Sequence, residues 1–183
     1  YFYMALLKLD LDAVHIWLAH SEELVGGAWP GLAEGLLSPA EKTRRDRYLF
    51  EKNRHEYKVT RALVRTVLSR YAPVDPKDWQ FETGSHGKPF ISFPKIDIPL
   101  CFNLSNTAGL VACIVALDRE LGIDVEELER AARALDVADR FFSPAEARAL
   151  RALPEKDRPF RFSTYWTLKE SYIKARGMGL AIP

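Results

Sequence analysis

Along the chain the apolar positions alternate, then recur at helical spacing, then alternate again. Val14-His15-Ile16-Trp17-Leu18 reads as a strand. Leu37-Ser38-Pro39-Ala40-Glu41 opens a helix, because Ser38 can cap, Pro39 suits the first helical position and Glu41 completes a capping box. From there to about Tyr71 the pattern is helical, with room for a break near Asn53, and Leu63, Val64, Val67 and Leu68 form an apolar stripe. After Ala72-Pro73 the texture becomes short strands: Trp79-Gln80-Phe81, Phe90-Ile91-Ser92-Phe93, Cys101-Phe102-Asn103-Leu104 and Val111-Ala112-Cys113-Ile114-Val115. Gly84, Gly87, Pro89, Pro94, Pro99 and Gly109 supply the breaks, and Leu121-Gly122-Ile123-Asp124-Val125-Glu126 reads as one more strand.

The second half then repeats the first. Ser143-Pro144-Ala145-Glu146 restates Ser38-Pro39-Ala40-Glu41, and Glu155-Lys156-Asp157-Arg158 answers Glu51-Lys52-Asn53-Arg54. Each is followed by a helical stretch, ending near Arg70 and Arg176. Two matching tetrapeptides in the same order predict a duplicated unit. The expected fold is therefore α/β (α+β): two similar halves related by a pseudo-two-fold, each a small, mostly antiparallel sheet with a long packed helix. The halves are expected at 1–117 and 118–183. The second ends before the strands found in the first, so its C-terminus is expected to be truncated. Met4 reads as the natural first residue, and the opening residues do not resemble a secretory signal.

Composition narrows the class without naming a function. The 183 residues are 48% hydrophobic and 28% charged, with a formal net charge of +1. That balance offers no bulk attraction to nucleic acid or to a membrane, and no apolar run is long enough to span one. Cys101 and Cys113 are read as buried thiols of a reducing cytoplasm, and two cysteines with no nearby histidine pair do not make a zinc site.

Several residues could carry chemistry. Asp124 and Glu126, two apart in a strand, leave the same face with Cα atoms about 6.6 Å apart. They repel by about 2.5 kcal/mol at an effective dielectric near 20. On spacing alone, a solvated acidic face is the plainer reading; a hard cation such as Mg²⁺ between them is the functional one. Glu170 and Lys174 are one helical turn apart, with Trp166 a turn earlier, which fits a surface ion pair or a base and a cation held beside an aromatic wall. Lys88 lies in the turn Gly87-Lys88-Pro89. Ser105 and Asn106 end an apolar strand in small polar groups that could face an anion. The basic excess between Glu41 and Arg65, Arg44 included, fits a polyphosphate or an exposed helix. Walker and Gly-x-Ser-x-Gly signatures are missing, and the four histidines lack metal-ligand spacing.

The order of these segments is distinctive. Gly87-Lys88-Pro89, Phe102-Asn103-Leu104-Ser105, Gly122-Ile123-Asp124-Val125-Glu126, and Trp166-Thr167-Leu168-Lys169-Glu170-Ser171-Tyr172-Ile173-Lys174 with Gly177, Gly179 and Leu180 resemble the 4′-phosphopantetheinyl transferases of the broad-specificity, surfactin-synthetase-activating type. The resemblance covers nearly the whole chain. It implies two similar α/β halves in one chain and transfer of phosphopantetheine from coenzyme A to a serine of an apo acyl or peptidyl carrier protein; two fused halves make a monomer the natural expectation. It further implies that Asp124, Glu126 and Glu170 ligate Mg²⁺ at the coenzyme A pyrophosphate. Glu170 would also accept the serine proton, and Lys174 would stabilise or protonate the departing bisphosphate. Lys88, Ser105 and Asn106 would contact coenzyme A phosphates, with Arg44 joining them. Asn106 stands where the family often has histidine; it can still donate a hydrogen bond but cannot titrate near neutrality. Rival readings are a coenzyme A or carrier-protein binding module without turnover, and a Mg²⁺-dependent pyrophosphate hydrolase.

Overall fold

The computed structural model describes residues 5–129 and 137–177. Gly179 and Leu180 of the family motif, and Met4, lie outside them. The fold is mixed α/β: helices packed on two small antiparallel sheets.

The larger sheet has the order β1-β5-β4, with β1 at His15–His20, β4 at Leu100–Thr107 and β5 at Leu110–Leu117. β4 and β5 form a hairpin in which Thr107 opposes Leu110; Gly109, at φ +80°, makes the tight turn. β2 (Gln80–Thr83) and β3 (Pro89–Phe93) form a separate hairpin, and Lys88 lies at the end of its turn. The period of two gives the β4–β5 pair two unlike faces. Phe102, Leu104, Cys113 and Val115 pack on the first long helix, whereas Cys101, Asn103, Ser105 and Ala112 face away from it.

That helix is α3 (Glu51–Leu68), preceded by α1 (Trp29–Leu36) and α2 (Pro39–Asp46). Val64, Val67 and Leu68 recur at helical spacing and are buried against Tyr71, Trp79 and the sheet. Burial of each such side chain contributes about 1.5–3 kcal/mol. Polar tips inside this core find partners: Trp79 Nε1 donates to Ser69 Oγ at 2.9 Å, and Trp17 Nε1 donates to Tyr71 Oη at 2.8 Å. The predicted break near Asn53 falls instead at Arg47–Phe50, so that Asn53 belongs to the first turn of α3. α1 carried no sequence signal strong enough to predict it.

The second half contributes α4 (Ala138–Phe141), α5 (Pro144–Arg151) and α6 (Arg158–Arg176). Both capping boxes form as expected. Each box glutamate also reaches its long helix, Glu41 pairing with Arg61 and Arg65, and Glu146 with Lys169. The tetrads diverge: Glu51 opens α3, whereas Glu155–Asp157 makes a 3-10 turn ahead of α6. Gly177, at φ +61°, ends α6 in the left-handed conformation.

Two expectations need correction. Leu121–Glu126 is not a strand, for reasons that lie in the site. Of the two free thiols, Cys113 is buried, its thiol pushed up to about 12 by desolvation, but Cys101 is only half-buried. Among the described residues no helix is long and apolar enough to cross a membrane.

Candidate active site

Two polar side chains on the outer face of β4 do what a neighbouring strand would do. Asn103 Oδ1 accepts the N–H of Ile123 at 3.0 Å, and Ser105 Oγ accepts that of Val125 at 3.3 Å. The two-residue spacing matches on both sides, so the segment 121–126 runs along β4 at side-chain distance rather than in backbone ladder contact. That is why it is not a strand. The residues of the segment itself carry no sign that its N–H partners are side chains.

α6 closes on the same segment from the other side. A Cβ built on Gly122 would stand 2.0 Å from Ser171 O and 2.5 Å from Ala175 N, so only glycine lets the two backbones approach this closely. Lys88 ties the same junction: its Nζ donates to Leu121 O at 3.2 Å and to Ala175 O at 2.7 Å, satisfying a carbonyl in the last turn of α6. Gly122→Ala forces α6 off the segment. It is expected to cost about 3 kcal/mol of stability in urea unfolding.

This contact brings Glu170 and Lys174, which flank Ser171 and Ala175 on α6, to Asp124 and Glu126. All four line one cavity of about 340 Å³ together with Ser105 and Trp166. Lys174 Nζ lies 2.7 Å from Asp124 Oδ1 and 2.9 Å from Ser105 Oγ, and Ser105 donates to Asp124 Oδ1 at 3.0 Å. The Ser105 hydroxyl thus fills its one donor and two acceptor capacities. Trp166 stacks on Phe162, centroids 5.9 Å apart and planes at 12°, which fixes the aromatic wall.

The electrostatics suit a cation. The Glu170 carboxyl is pushed above the usual carboxylate range by partial burial and by Asp124, with Glu126 adding to the rise and Lys174 opposing it. Asp124 Oδ2 is buried and lacks a hydrogen-bond partner. An unsatisfied carboxylate oxygen beside two further carboxylates is the hard donor set that Mg²⁺ prefers, so the residues present fit that ion. Among the described residues no three acidic, histidine or cysteine side chains already converge as a ligand set; the Lys174 ammonium supplies the positive charge on Asp124.

The remaining candidates divide. Asn106 lines the acidic cavity. Lys88 lines an adjoining cavity of about 310 Å³, which shares Leu104, Glu170 and Lys174 with the first. Through Lys88, Pro89 and Gly177 that cavity is continuous in its lining with a third of about 590 Å³. Arg44 stands apart, exposed on α2 with its guanidinium over the Tyr57 ring, and does not line the acidic cavity. Asn103 and Gly122 were missed as functional residues. A lone amide in an apolar strand, and a glycine interrupting an apolar alternation, were the signals that could have found them.

The chain resembles known proteins along nearly its whole length. A family model described as 4′-phosphopantetheinyl transferase, N-terminal, matches residues 29–117, and one described as 4′-phosphopantetheinyl transferase superfamily matches residues 120–183. The 4′-phosphopantetheinyl transferase HetI of Nostoc sp. is 35% identical over 175 residues, 96% of this chain and 73% of that protein. The 4′-phosphopantetheinyl transferase Sfp of Bacillus subtilis is 34% identical over 149 residues, covering 80% of this chain but only 63% of its own length. A looser likeness, TM-score 0.44 at 13% identity, joins 57% of this chain to 93% of a holo-(acyl-carrier-protein) synthase from Bacillus anthracis, too distant to inform residue roles. With the acidic and basic positions of the motif drawn into one cavity, and identity to HetI sustained over 96% of its residues, this chain belongs to the 4′-phosphopantetheinyl transferase superfamily.

Proposed function

We propose that this chain transfers the 4′-phosphopantetheine group of coenzyme A to a serine hydroxyl of an apo acyl or peptidyl carrier protein, releasing adenosine 3′,5′-bisphosphate. The observation that carries the reading is the meeting of Asp124, Glu126, Glu170 and Lys174 in one cavity of a chain of this family. Asp124, Glu126 and Glu170 would hold Mg²⁺, which when bound supplies positive charge against a diphosphate.

In the reaction, the serine oxygen forms a bond to the phosphorus that carries pantetheine, and the bridging P–O bond of the pyrophosphate breaks. Glu170 takes the proton that the hydroxyl must lose. A carboxylate on the wall of the cavity can meet that need. Lys174 stabilises the charge that develops on the departing bisphosphate, an interaction stronger in the transition state than in the ground state. Asn106, Ser105, Lys88 and Arg44 are proposed phosphate contacts. For Ser105 and Lys88 the bonds to Asp124, Leu121 and Ala175 are the competing state. The adjoining cavities, which share lining residues, offer room for the pantetheine arm. Two free thiols suit a reducing cytoplasm, and a single chain carrying the whole acidic trio suits a monomer.

The test is to incubate the protein with coenzyme A, Mg²⁺ and an apo carrier protein and to weigh the carrier. A gain of one phosphopantetheine is expected. Coenzyme A binding without a gain indicates a binding module, and bisphosphate release without carrier indicates a hydrolase; either outcome rejects the transferase.

A further inference from the structure

Asn103 has a role that the transfer chemistry does not itself require. It is 4% exposed on β4, between Phe102 and Leu104, where an amide without a partner would be costly to bury. Its Oδ1 accepts the N–H of Ile123, the residue next to Asp124. The second rung, Ser105 to Val125, belongs to a hydroxyl that also holds Asp124 and Lys174. The Asn103 bond is therefore the rung anchored by a side chain outside the acidic cavity. Together the two rungs fix which N–H groups face β4. A slip of one residue would carry Asp124 and Glu126 to the opposite face of the segment.

We propose that Asn103 is a positioning residue for the transfer site: by accepting the Ile123 N–H, its side-chain carbonyl sets the register in which Asp124 and Glu126 enter the cavity. This rests on the transferase reading and on the acids as metal ligands. Asn103 also borders the cavity that adjoins the acids. The rival role, a direct contact with coenzyme A, is thus the one the experiment must separate.

Two variants do so. Asn103→Leu removes the acceptor at similar volume, and Asn103→Asp keeps it in nearly the same shape. Exchange of the Ile123 amide is followed by NMR, Mn²⁺ binding by electron paramagnetic resonance, and carrier loading as a function of Mg²⁺ and coenzyme A. In Asn103→Leu the Ile123 amide is expected to exchange at least about tenfold faster. The Mn²⁺ dissociation constant and the Mg²⁺ midpoint are expected to rise by about tenfold or more, with KM for coenzyme A within about twofold of the parent. Asn103→Asp is expected to restore the amide protection and to hold the metal midpoint within about threefold. Should Asn103→Leu not fold, Asn103→Ser replaces it with the same expectations. Unchanged Ile123 exchange in the leucine variant overturns the proposal. So does a raised KM with an unchanged metal midpoint, or an aspartate variant as impaired as leucine. If the parent protein loads no carrier, the transferase reading fails, while amide exchange and Mn²⁺ binding still decide the role of Asn103.

Discussion

Glu170→Gln is expected to lower carrier loading by about a thousandfold or more while leaving the protein at least as stable as the parent. Glutamine keeps the shape and one carbonyl oxygen, but it can neither take the serine proton nor bring a negative charge to a shared cation. Loss of one carboxylate from a trio that lines one cavity removes both functions at once. The stability half follows from the sign of the pKa displacement. Burial and Asp124 raise the Glu170 carboxyl above its unfolded value, with Glu126 adding and Lys174 opposing. A raised acid favours the fold only below its unfolded pKa, and that contribution is lost as pH rises through the folded value. At neutral pH the charged form is thus a burden that glutamine removes. Loading rates by mass spectrometry and melting temperatures, measured on one preparation, check both halves. A variant that loads normally rejects the site, and a variant that is inactive and also unstable leaves no case for a catalytic role.

The second large effect lies in the first half. Glu41→Gln is expected to destabilise the fold by about 3 kcal/mol, read by urea unfolding at neutral pH. The Glu41 carboxylate holds the capping box of α2 at Ser38 and pairs with Arg61 Nε at 2.6 Å and Arg65 Nη2 at 2.7 Å. Arg65 is 2% exposed, and its other bonds go to neutral carbonyls, including Trp79 O at 2.5 Å. Removing the carboxylate that pairs with this guanidinium leaves it buried and uncompensated, which is the expensive way to break a pair. Burial alone would raise the Glu41 carboxyl; Arg61, the Ser38 N–H and Arg65 outweigh it and hold the group below the usual carboxylate range. A depressed acid stabilises the fold fully above its unfolded pKa, and that contribution is lost as pH falls through the lowered folded value. The parent should therefore lose stability on the acid side of the ordinary carboxylate range, and the glutamine variant should show a flatter acid limb. Parallel limbs would show that the pair contributes nothing.

Local signals carried well where the physics was local. Both capping boxes form because a cap needs only its own four residues, and the strands at 80–83, 89–93, 100–107 and 110–117 fall on short runs rich in apolar, β-branched and aromatic residues. The acids at 124 and 126 were legible as a pair for the same reason. The segment that carries them was misread as a strand because strand identity depends on what its N–H groups meet, and here they meet Asn103 and Ser105. Likewise, Glu170 with Lys174 looked like a surface ion pair on spacing. The Lys174 ammonium instead crosses to Asp124.

By itself, then, the order of residues determined the helix starts, the turns and the chemical types available to a site, since each rests on steric and hydrogen-bonding preferences within a few residues. It also carried the motif that marks the family. Only the tertiary structure decided that three carboxylates and one ammonium separated by up to 50 positions share a cavity. That meeting depends on a backbone approach at Gly122 too close for any side chain, and on two polar groups of β4 taking N–H bonds that a strand would otherwise accept. Such contacts arise between elements, and a single chain read in order holds no record of which elements touch.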